Sequence, residues 1–126
     1  MATKRILIVD DEALILYALT RTLARSGVEV TAVTSAEEAL AKVDEQPFDL
    51  CLLDHLLPGM SGVEAMPLLR EKAPAMQLVM ITASCLTPPE RAVVDTMASL
   101  LLEKPFDVNR VKAIVDEHLH WSPSHL

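Results

Sequence analysis

The stretch LLLEKPFDVNR, residues 100–110, places Lys104 directly after an apolar run of strand length and directly before Pro105. A lysine at the end of a buried strand needs a partner, because an unpaired ammonium is costly to remove from water. The stretch therefore predicts that the partner of Lys104 comes from a distant part of the sequence.

Four other apolar runs of strand length precede this one, and segments with helical spacing lie between them. The five runs are RILIVD (5–10), VEVTAV (28–33), FDLCLLD (48–54), MQLVMIT (76–82) and SLLLEK (99–104). Strand and helix alternate five times without an internal repeat, which predicts an α/β domain with a parallel sheet. The first, third and fourth runs are apolar nearly throughout, as expected for strands that helices cover on both faces.

The helical segments carry recognisable start and stop signals. The first, within residues 11–27, places one set of side chains on one face and Gly27 at its C-terminal stop; the set is Ala13, Leu16, Tyr17, Thr20, Leu23 and Ala24. Ser35 and Glu38 have the spacing of a capping box at the start of the second helix. The third helix is predicted over 61–72, weakened or bent by Pro67, and the fourth from about residue 88 to about 98. For the fifth, Asp107 is the predicted N-cap, and the predicted inward residues are Val111, Ile114, Val115 and Leu119.

Length, composition and charge restrict the class of protein. The chain has 126 residues, of which 51% are hydrophobic, and this predicts one folded domain over residues 1–120, with residues 121–126 as a linker stub or flexible tail. The net charge of −7 argues against direct nucleic-acid binding and against an anionic membrane surface. The sequence contains no apolar run long enough for a membrane span, and the acidic pair Asp10–Asp11 comes too early for a signal peptide. Together with only two cysteines, these features predict a cytoplasmic protein.

Polar residues stand at the carboxyl ends of four predicted strands. They are Asp10 and Asp11 (followed by Glu12), Asp54, Thr82 and Lys104. In a doubly wound sheet, ligands bind beyond the carboxyl ends of the strands, so these side chains are expected to converge. Each alone has a simpler explanation: an acid that stabilises a helix start, a turn residue, an ordinary strand residue or a solvated strand end. It is their common position that predicts a site and a partner for Lys104.

The chemistry of this set is specific. Crowded carboxylates repel one another and need a cation for full ionisation, and oxygen ligands with an open coordination sphere suit Mg²⁺. A carboxylate can attack phosphorus to give an aspartyl phosphate. The phosphoryl group that is transferred carries negative charge, which a metal ion, a lysine and a hydroxyl donor stabilise.

The stretches ILIVDDE, DLCLLDHLLPGMSG, VMITAS and LLEKPF together resemble the receiver domain of bacterial two-component response regulators, over residues 4 to about 120. This resemblance implies a single doubly wound (βα)5 flavodoxin-like domain. Its five-stranded parallel sheet is expected to have the order 2-1-3-4-5 and helices on both faces.

The resemblance also implies a role for each site residue. Asp54 matches the phosphoacceptor, Asp11 the direct Mg²⁺ ligand and Asp10 its water-mediated neighbour, and the backbone carbonyl of Leu56 is expected to complete the ligand set.

Two more site residues of the family have matches near the ends of the last two strands. Thr82 matches the switch hydroxyl, and Lys104 matches the lysine that binds the phosphoryl group. The Lys104–Pro105 peptide bond is expected to be cis.

The function implied is that of a signalling domain that accepts a phosphoryl group from the phosphohistidine of a sensor histidine kinase or a histidine phosphotransfer protein. An output domain or partner is expected to read the face formed by helix 4, strand 5 and helix 5, and a homodimer is left open. Enzymatic activity is limited to the domain's own phosphorylation and its dephosphorylation. The latter is expected to be slow, because Leu56 and Ser84 carry no group that could orient water. A receiver module of a hybrid kinase or phosphorelay, and a receiver-like docking domain, are the alternatives.

Other proteins with similar chemistry fit the sequence less well. A phosphatase of the haloacid dehalogenase class needs a second carboxylate two residues after its nucleophile, where this chain has Leu56. A flavodoxin needs a phosphate loop after the first strand, where this chain has acidic residues.

Three positions depart from the receiver pattern or invite a special role. Leu101 stands where the family commonly has Tyr or Phe, so a switch by an aromatic ring is not expected, and Met97-Ala98 replaces the usual Gly-Ala. Leu101 is expected to be either a half-buried core residue or part of a sticky partner face. His55 is expected to be a surface histidine at a strand end.

Overall fold

The structure is a computed structural model that describes residues 3–83 and 85–120. The strands are β1 (Lys4–Val9), β2 (Val28–Val33), β3 (Leu50–Asp54), β4 (Gln77–Thr82) and β5 (Leu100–Glu103). The helices are α1 (Ala13–Leu23), α2 (Ala36–Glu45), α3 (Gly62–Lys72), α4 (Pro88–Met97) and α5 (Val108–His120). The predicted tail at 121–126 lies outside the described residues. No helix in the described part of the chain is long and apolar enough to cross a bilayer.

The strands form one five-stranded sheet in the order β2-β1-β3-β4-β5, and every pairing is parallel. The expected fold class is therefore confirmed. Because side chains alternate along a strand, β1 supplies Ile6 and Ile8 to one face and Leu7 and Val9 to the other. Buried residues of α1 and α5 cover the first face, and those of α2, α3 and α4 cover the second.

The prediction for the first helix needs two corrections. The helix ends at Leu23 and not at Gly27, which instead lies in the turn before β2 with φ 83. The predicted inward face is correct only in part. Leu16 and Leu23 pack into the core as predicted, but Tyr17 is 61% exposed. The buried Leu19 was not in the predicted set. The helix is apolar on nearly all sides (ALILYAL), so spacing alone did not decide which side packs against the sheet.

The starts of the other helices follow their capping residues. Ser35 accepts a hydrogen bond from Glu38 N, but the Glu38 carboxylate accepts from Thr34 N instead of from Ser35 N, so only half of the predicted box forms. Complete capping boxes form in α3 between Ser61 and Glu64, and in α4 between Thr87 and Glu90.

Two further helix predictions concern α3 and α5. Pro67 lies inside α3 without ending the helix. Asp107 accepts from Asn109 N at 2.7 Å at the start of α5, and the predicted inward residues are buried or half-buried: Val111, Ile114, Val115 and Leu119.

Candidate functional site

The carboxyl ends of four neighbouring strands, β1, β3, β4 and β5, bring the predicted polar residues together. Asp10 directly follows β1, Asp54 ends β3 and Thr82 ends β4, and all three are buried. Lys104 follows β5 and continues its pairing through a backbone hydrogen bond from Lys104 N to Thr82 O at 2.8 Å. The sheet itself therefore fixes the positions from which these side chains meet.

Lys104 is the centre of the cluster. Its Nζ lies 2.7 Å from Glu12 Oε1, 3.1 Å from Asp10 Oδ2 and 3.3 Å from Asp54 Oδ2. Its side chain is 10% exposed, and the Lys104–Pro105 peptide bond is cis as expected. The distant partners that the Lys104–Pro105 stretch predicts are thus three carboxylates from the ends of two other strands.

The electrostatics of the cluster raise the pKa of both Asp54 and Lys104. Burial, and then the charge of Asp10, raise the pKa of Asp54 to about 6, although Lys104 acts in the opposite direction. Burial also disfavours the ammonium of Lys104, but the hydrogen bond to Glu12, the close contact with Asp10 and the charges of Asp10 and Asp54 outweigh it and raise the pKa of Lys104. One ammonium therefore does not fully offset the carboxylates around it.

The donor set fits a small divalent cation. Oxygen atoms of Asp10, Glu12 and Asp54 all lie within 4.8 Å of one another. Asp10 Oδ2 is buried and accepts no well-directed hydrogen bond from the described residues, although it lies 3.1 Å from the Lys104 ammonium. Hard carboxylate oxygens with one buried acceptor still available are the ligands that Mg²⁺ prefers.

The predicted metal ligands differ in how the structure places them. Asp10 and Asp54 are in the group of neighbouring oxygens, whereas the exposed Asp11 is outside it and Glu12 takes part in its place. Asp11 is still close enough for its charge to raise the pKa of Asp54. Its role as a direct ligand and that of the Leu56 carbonyl stay predictions.

Glu12 is a site residue whose role the sequence left open. Its ion pair with Lys104 joins residues 92 positions apart and is the shortest of the three contacts of that lysine. The acidic run DDE at the end of β1 was the available signal, but the run alone did not show which of its members turns toward Lys104.

The prediction of a surface histidine at position 55 is wrong. His55 is 4% exposed, its Nε2 lies 3.0 Å from Glu90 Oε2, and Val63 N donates to its Nδ1 over 3.4 Å. The missed signal is alternation: His55 follows Leu53 by two positions, so its side chain is directed to the same face, which α3 and α4 cover.

The face around Leu101 is an ordinary packed surface. Leu101 is half-buried and packs against the core together with Val93 and Met97, and Val94 is buried. This confirms the half-buried core interpretation and gives no support to a sticky patch. Ser84, whose side chain bears on the expected phosphate lifetime, lies outside the described residues.

Comparisons with known proteins show the family of the chain. Residues 6–116 match the family model described as "Response regulator receiver domain". The alkaline phosphatase synthesis transcriptional regulatory protein PhoP of Bacillus subtilis is 37% identical over 125 residues, which cover 96% of this chain and 52% of that protein. The response regulator protein PilR of Pseudomonas aeruginosa is 32% identical over 115 residues, which cover 91% of this chain and 26% of that protein.

Solved structures match over nearly the whole chain. A CheY-like response regulator receiver domain protein from Methanospirillum hungatei has a TM-score of 0.86 at 31% identity and covers 94% of each chain. The BeF3-activated DrrB receiver domain has a TM-score of 0.82 at 25% identity and covers 94% of this chain and 99% of that one. The present chain spans about half the length of PhoP, its relative in Bacillus subtilis. With these matches and with the polar cluster at the carboxyl edge of its sheet, the chain belongs to the family of response regulator receiver domains of two-component systems.

Proposed function

We propose that Asp54 accepts a phosphoryl group from the phosphohistidine of a sensor histidine kinase or a histidine phosphotransfer protein. The observation that carries this proposal is the position of Lys104 Nζ, 3.3 Å from Asp54 Oδ2 and 3.1 Å from Asp10 Oδ2. An ammonium fixed beside a buried carboxylate can neutralise the charge that a phosphoryl group brings to that carboxylate.

The reaction is a displacement at phosphorus. A carboxylate oxygen of Asp54 forms the new O–P bond while the P–N bond to the donor imidazole breaks, and the imidazole nitrogen keeps the electron pair of that bond. Asp54 must be ionised to attack. A pKa of about 6 leaves it mainly as the carboxylate at neutral pH.

Asp10, Asp11, Asp54 and the backbone carbonyl of Leu56 are proposed to hold Mg²⁺. When bound, the ion offsets the repulsion among the carboxylates and the incoming phosphoryl oxygens. Glu12 then has a separate role, because its contact with Lys104 at 2.7 Å keeps the ammonium in place before the phosphoryl group arrives.

After transfer, Lys104 is proposed to pair with a phosphoryl oxygen and Thr82 to donate its hydroxyl to another. Both residues adjoin the face of α4, β5 and α5: Thr82 precedes the loop that leads to α4, and Lys104 follows β5. Their displacement is the proposed signal to an output domain or partner, or to a second copy of the chain.

Several wider properties follow from this role as proposals. Residues 1–120 are proposed to act as the receiver unit, and the protein is proposed to work in the cytoplasm. The aspartyl phosphate is long-lived without a phosphatase, since the Leu56 side chain is apolar. A half-life of seconds for the purified phosphoprotein contradicts this point.

The test is intact-mass analysis after incubation with acetyl phosphate and Mg²⁺. The wild type is expected to gain the mass of one phosphoryl group, and Asp54→Asn is expected to gain none. Asp44→Asn is the matched control, because Asp44 is an exposed aspartate paired with Lys72 away from the site. Phosphorylation of Asp54→Asn at the wild-type rate, or no phosphorylation of the wild type in Mg²⁺, overturns the proposal.

A further inference from the structure

His55 joins three elements next to the proposed phosphoacceptor. Its backbone N donates to Ile81 O of β4 at 2.9 Å, and its backbone O accepts from Gly62 N at the start of α3 at 2.8 Å. Its ring contacts Val63 N through Nδ1 and Glu90 Oε2 through Nε2. A buried imidazole thus connects the end of β3 with the first turns of both α3 and α4.

The directions of these hydrogen bonds are determined by the donors present. Val63 N–H can only donate, so Nδ1 of His55 acts as the acceptor over 3.4 Å. Nε2 then carries the proton and lies 3.0 Å from Glu90 Oε2, a contact through which it can donate to the carboxylate. The ring therefore has one acceptor and one donor, and each is matched to a different helix.

The two carboxylate oxygens of Glu90 make different contacts at the start of α4. Its Oε1 accepts from Thr87 N at 2.8 Å and closes the capping box, while its Oε2 accepts from His55. The same carboxylate therefore holds the first turn of α4 together and ties that turn to the residue after Asp54.

We propose that the His55–Glu90 hydrogen bond is a latch that holds the N-terminus of α4 against the end of β3 in the unphosphorylated protein, and that phosphorylation of Asp54 opens it. This inference rests on the proposed function. His55 is then a positioning residue for the switch, because it acts through Glu90 and not on the phosphoryl group.

The chain connection explains why the latch opposes the switch. The loop from Thr82 to Thr87 joins β4 to α4, and both of its ends are fixed beside Asp54: Thr82 by the sheet and Thr87 through Glu90 and His55. Only four residues separate Thr82 from Thr87 in the sequence, so a movement of Thr82 toward a phosphoryl group is expected to displace Thr87 as well. The first turn of α4 can follow only if the His55–Glu90 bond breaks.

A latch that stabilises only the unphosphorylated conformation lowers the affinity for any ligand of the other conformation. Its removal should raise the affinity for beryllofluoride, a phosphoryl analogue, in Mg²⁺ by about threefold to tenfold. It should also speed exchange of the amide hydrogens of Glu90 and Arg91 in the unliganded protein, because the first turn of α4 has lost its tie to β3; Pro88 and Pro89 in that turn have no amide hydrogen.

Glu90→Gln removes the latch and keeps the helix cap. A glutamine whose oxygen accepts from Thr87 N presents its NH₂ group to His55 Nε2–H, so two donors face each other. If the ring proton moves to Nδ1, Nε2 can accept from the glutamine NH₂ group, but the protonated Nδ1 then faces the Val63 N–H, which is also a donor. One hydrogen bond of His55 is lost in either arrangement, while Gln still completes a capping box.

Glu64→Gln is the matched control. Glu64 occupies the same position in the capping box of α3, where it accepts from Ser61 N at 3.0 Å. Hydrogen bonds from the N-cap residue lower the pKa of both Glu64 and Glu90, so the two substitutions remove equivalent charges at equivalent helix positions. Glu64 makes no hydrogen bond with His55 among the contacts of the described residues.

The latch predicts tighter beryllofluoride binding and faster exchange in the first turn of α4 for Glu90→Gln, and neither change for Glu64→Gln. Equal effects of the two substitutions, or no effect of Glu90→Gln, overturn it. If the wild type does not bind beryllofluoride, the proposed function fails, and the exchange rates of the unliganded variants still decide whether the latch exists.

A double-mutant cycle with His55→Leu separates the latch from general loss of packing. If the two residues act through one hydrogen bond, Glu90→Gln has no further effect on beryllofluoride affinity or on α4 exchange in the His55→Leu background. Additive effects of the two substitutions overturn the latch. Because Glu90→Gln against Glu64→Gln is decisive by itself, the test does not depend on the folding of His55→Leu.

Discussion

The parallel strands of the sheet begin on one side, here called the amino edge, and end on the other, the carboxyl edge. The polar groups at these two edges are partnered in different ways. At the amino edge, polar groups have partners and reach solvent. The backbone N of Arg5 donates to Asp49 Oδ2 at 2.8 Å. The Arg5 side chain contacts Gln46 and Glu29. Of the residues that the structure describes, the buried polar or charged ones are Asp10, Asp54, His55 and Thr82. All four lie at the carboxyl edge, where Lys104 forms ion pairs with three carboxylates.

The amino edge therefore contributes mainly to stability, and the carboxyl edge mainly to binding. The groups at the amino edge compensate one another within the chain, so they support the fold in any state of the protein. The carboxyl edge keeps an excess of negative charge, which costs stability until a cation or a charged ligand arrives. The same sheet therefore has one edge that stabilises the fold and one edge prepared for binding.

The largest difference in loss of stability is expected between alanine substitutions at two glycines, Gly62 and Gly27. A Cβ at Gly62 would lie 2.9 Å from His55 Cα and would also press into the Asp54 carbonyl oxygen, both backbone groups that cannot move aside easily. Gly62→Ala should lower the free energy of unfolding by about 3 kcal/mol or more. Urea denaturation measures this loss.

Gly27→Ala is the control at the amino edge. Gly27 has φ +83, and no atom of the described residues lies within 4 Å of the place that an alanine methyl group would take. The cost of the substitution is therefore backbone strain alone, about 1 kcal/mol. A smaller loss for Gly62→Ala than for Gly27→Ala would show that α3 does not press against the phosphoacceptor strand.

The second contrast compares two lysines. Lys104→Met leaves buried carboxylates without their ammonium and should cost about 2 kcal/mol of stability in a chelator. Lys72→Met breaks the exposed pair with Asp44 and should cost less than about 0.5 kcal/mol. Added Mg²⁺ should recover part of the stability of Lys104→Met and change Lys72→Met no more than the wild type. Equal losses for the two lysines would mean that solvent screens the carboxyl edge.

The third prediction concerns Asp54 and pH. The pKa of Asp54 in the folded protein is about 6, above its ordinary value of 3.8, so the native state binds this proton more tightly than the unfolded chain does. The contribution of Asp54 to stability therefore falls as pH rises from about 4 to about 6 and stays unfavourable above that range. In a chelator, Asp54→Asn should stabilise the protein by about 2 kcal/mol at neutral pH and by almost nothing near pH 4. Thermal melts at several pH values give the difference, and a destabilised variant at neutral pH would contradict the raised pKa.

The last prediction concerns the amino edge, where a loss of stability is expected without a change in phosphorylation. Asp49→Ala removes the acceptor of Arg5 N and should cost about 1 kcal/mol. The rate of phosphorylation by acetyl phosphate should stay at the wild-type value, because Asp49 precedes β3 at the end of that strand opposite to Asp54. A slower rate in this variant would mean that the two edges are coupled.

The sequence was sufficient for the strands and for the residues at their ends. Strand-length apolar runs and the alternation with helices led to the sheet, and their ends placed Asp10, Asp54, Thr82 and Lys104 at one edge. This succeeded because parallel connection forces the carboxyl ends of strands to the same side.

What the sequence did not determine depends on contacts between distant elements. The outward direction of Tyr17 follows from how an almost entirely apolar helix settles on the sheet, and the burial of His55 follows from the position of α4 over β3. His55 and Glu90 are 35 positions apart, and neither residue type signals a partner. The choice of Glu12 in the cluster likewise depends on the path of the chain between β1 and α1.

The most direct measurement locates the acyl phosphate itself. After incubation with acetyl phosphate and Mg²⁺, borohydride reduces an aspartyl phosphate to homoserine, and peptide mass spectrometry then identifies the residue. Homoserine is expected at position 54 and at no other carboxylate. Homoserine at position 10, 11 or 12, or an unmodified Asp54 in a protein that has taken up phosphate, would contradict the proposed site.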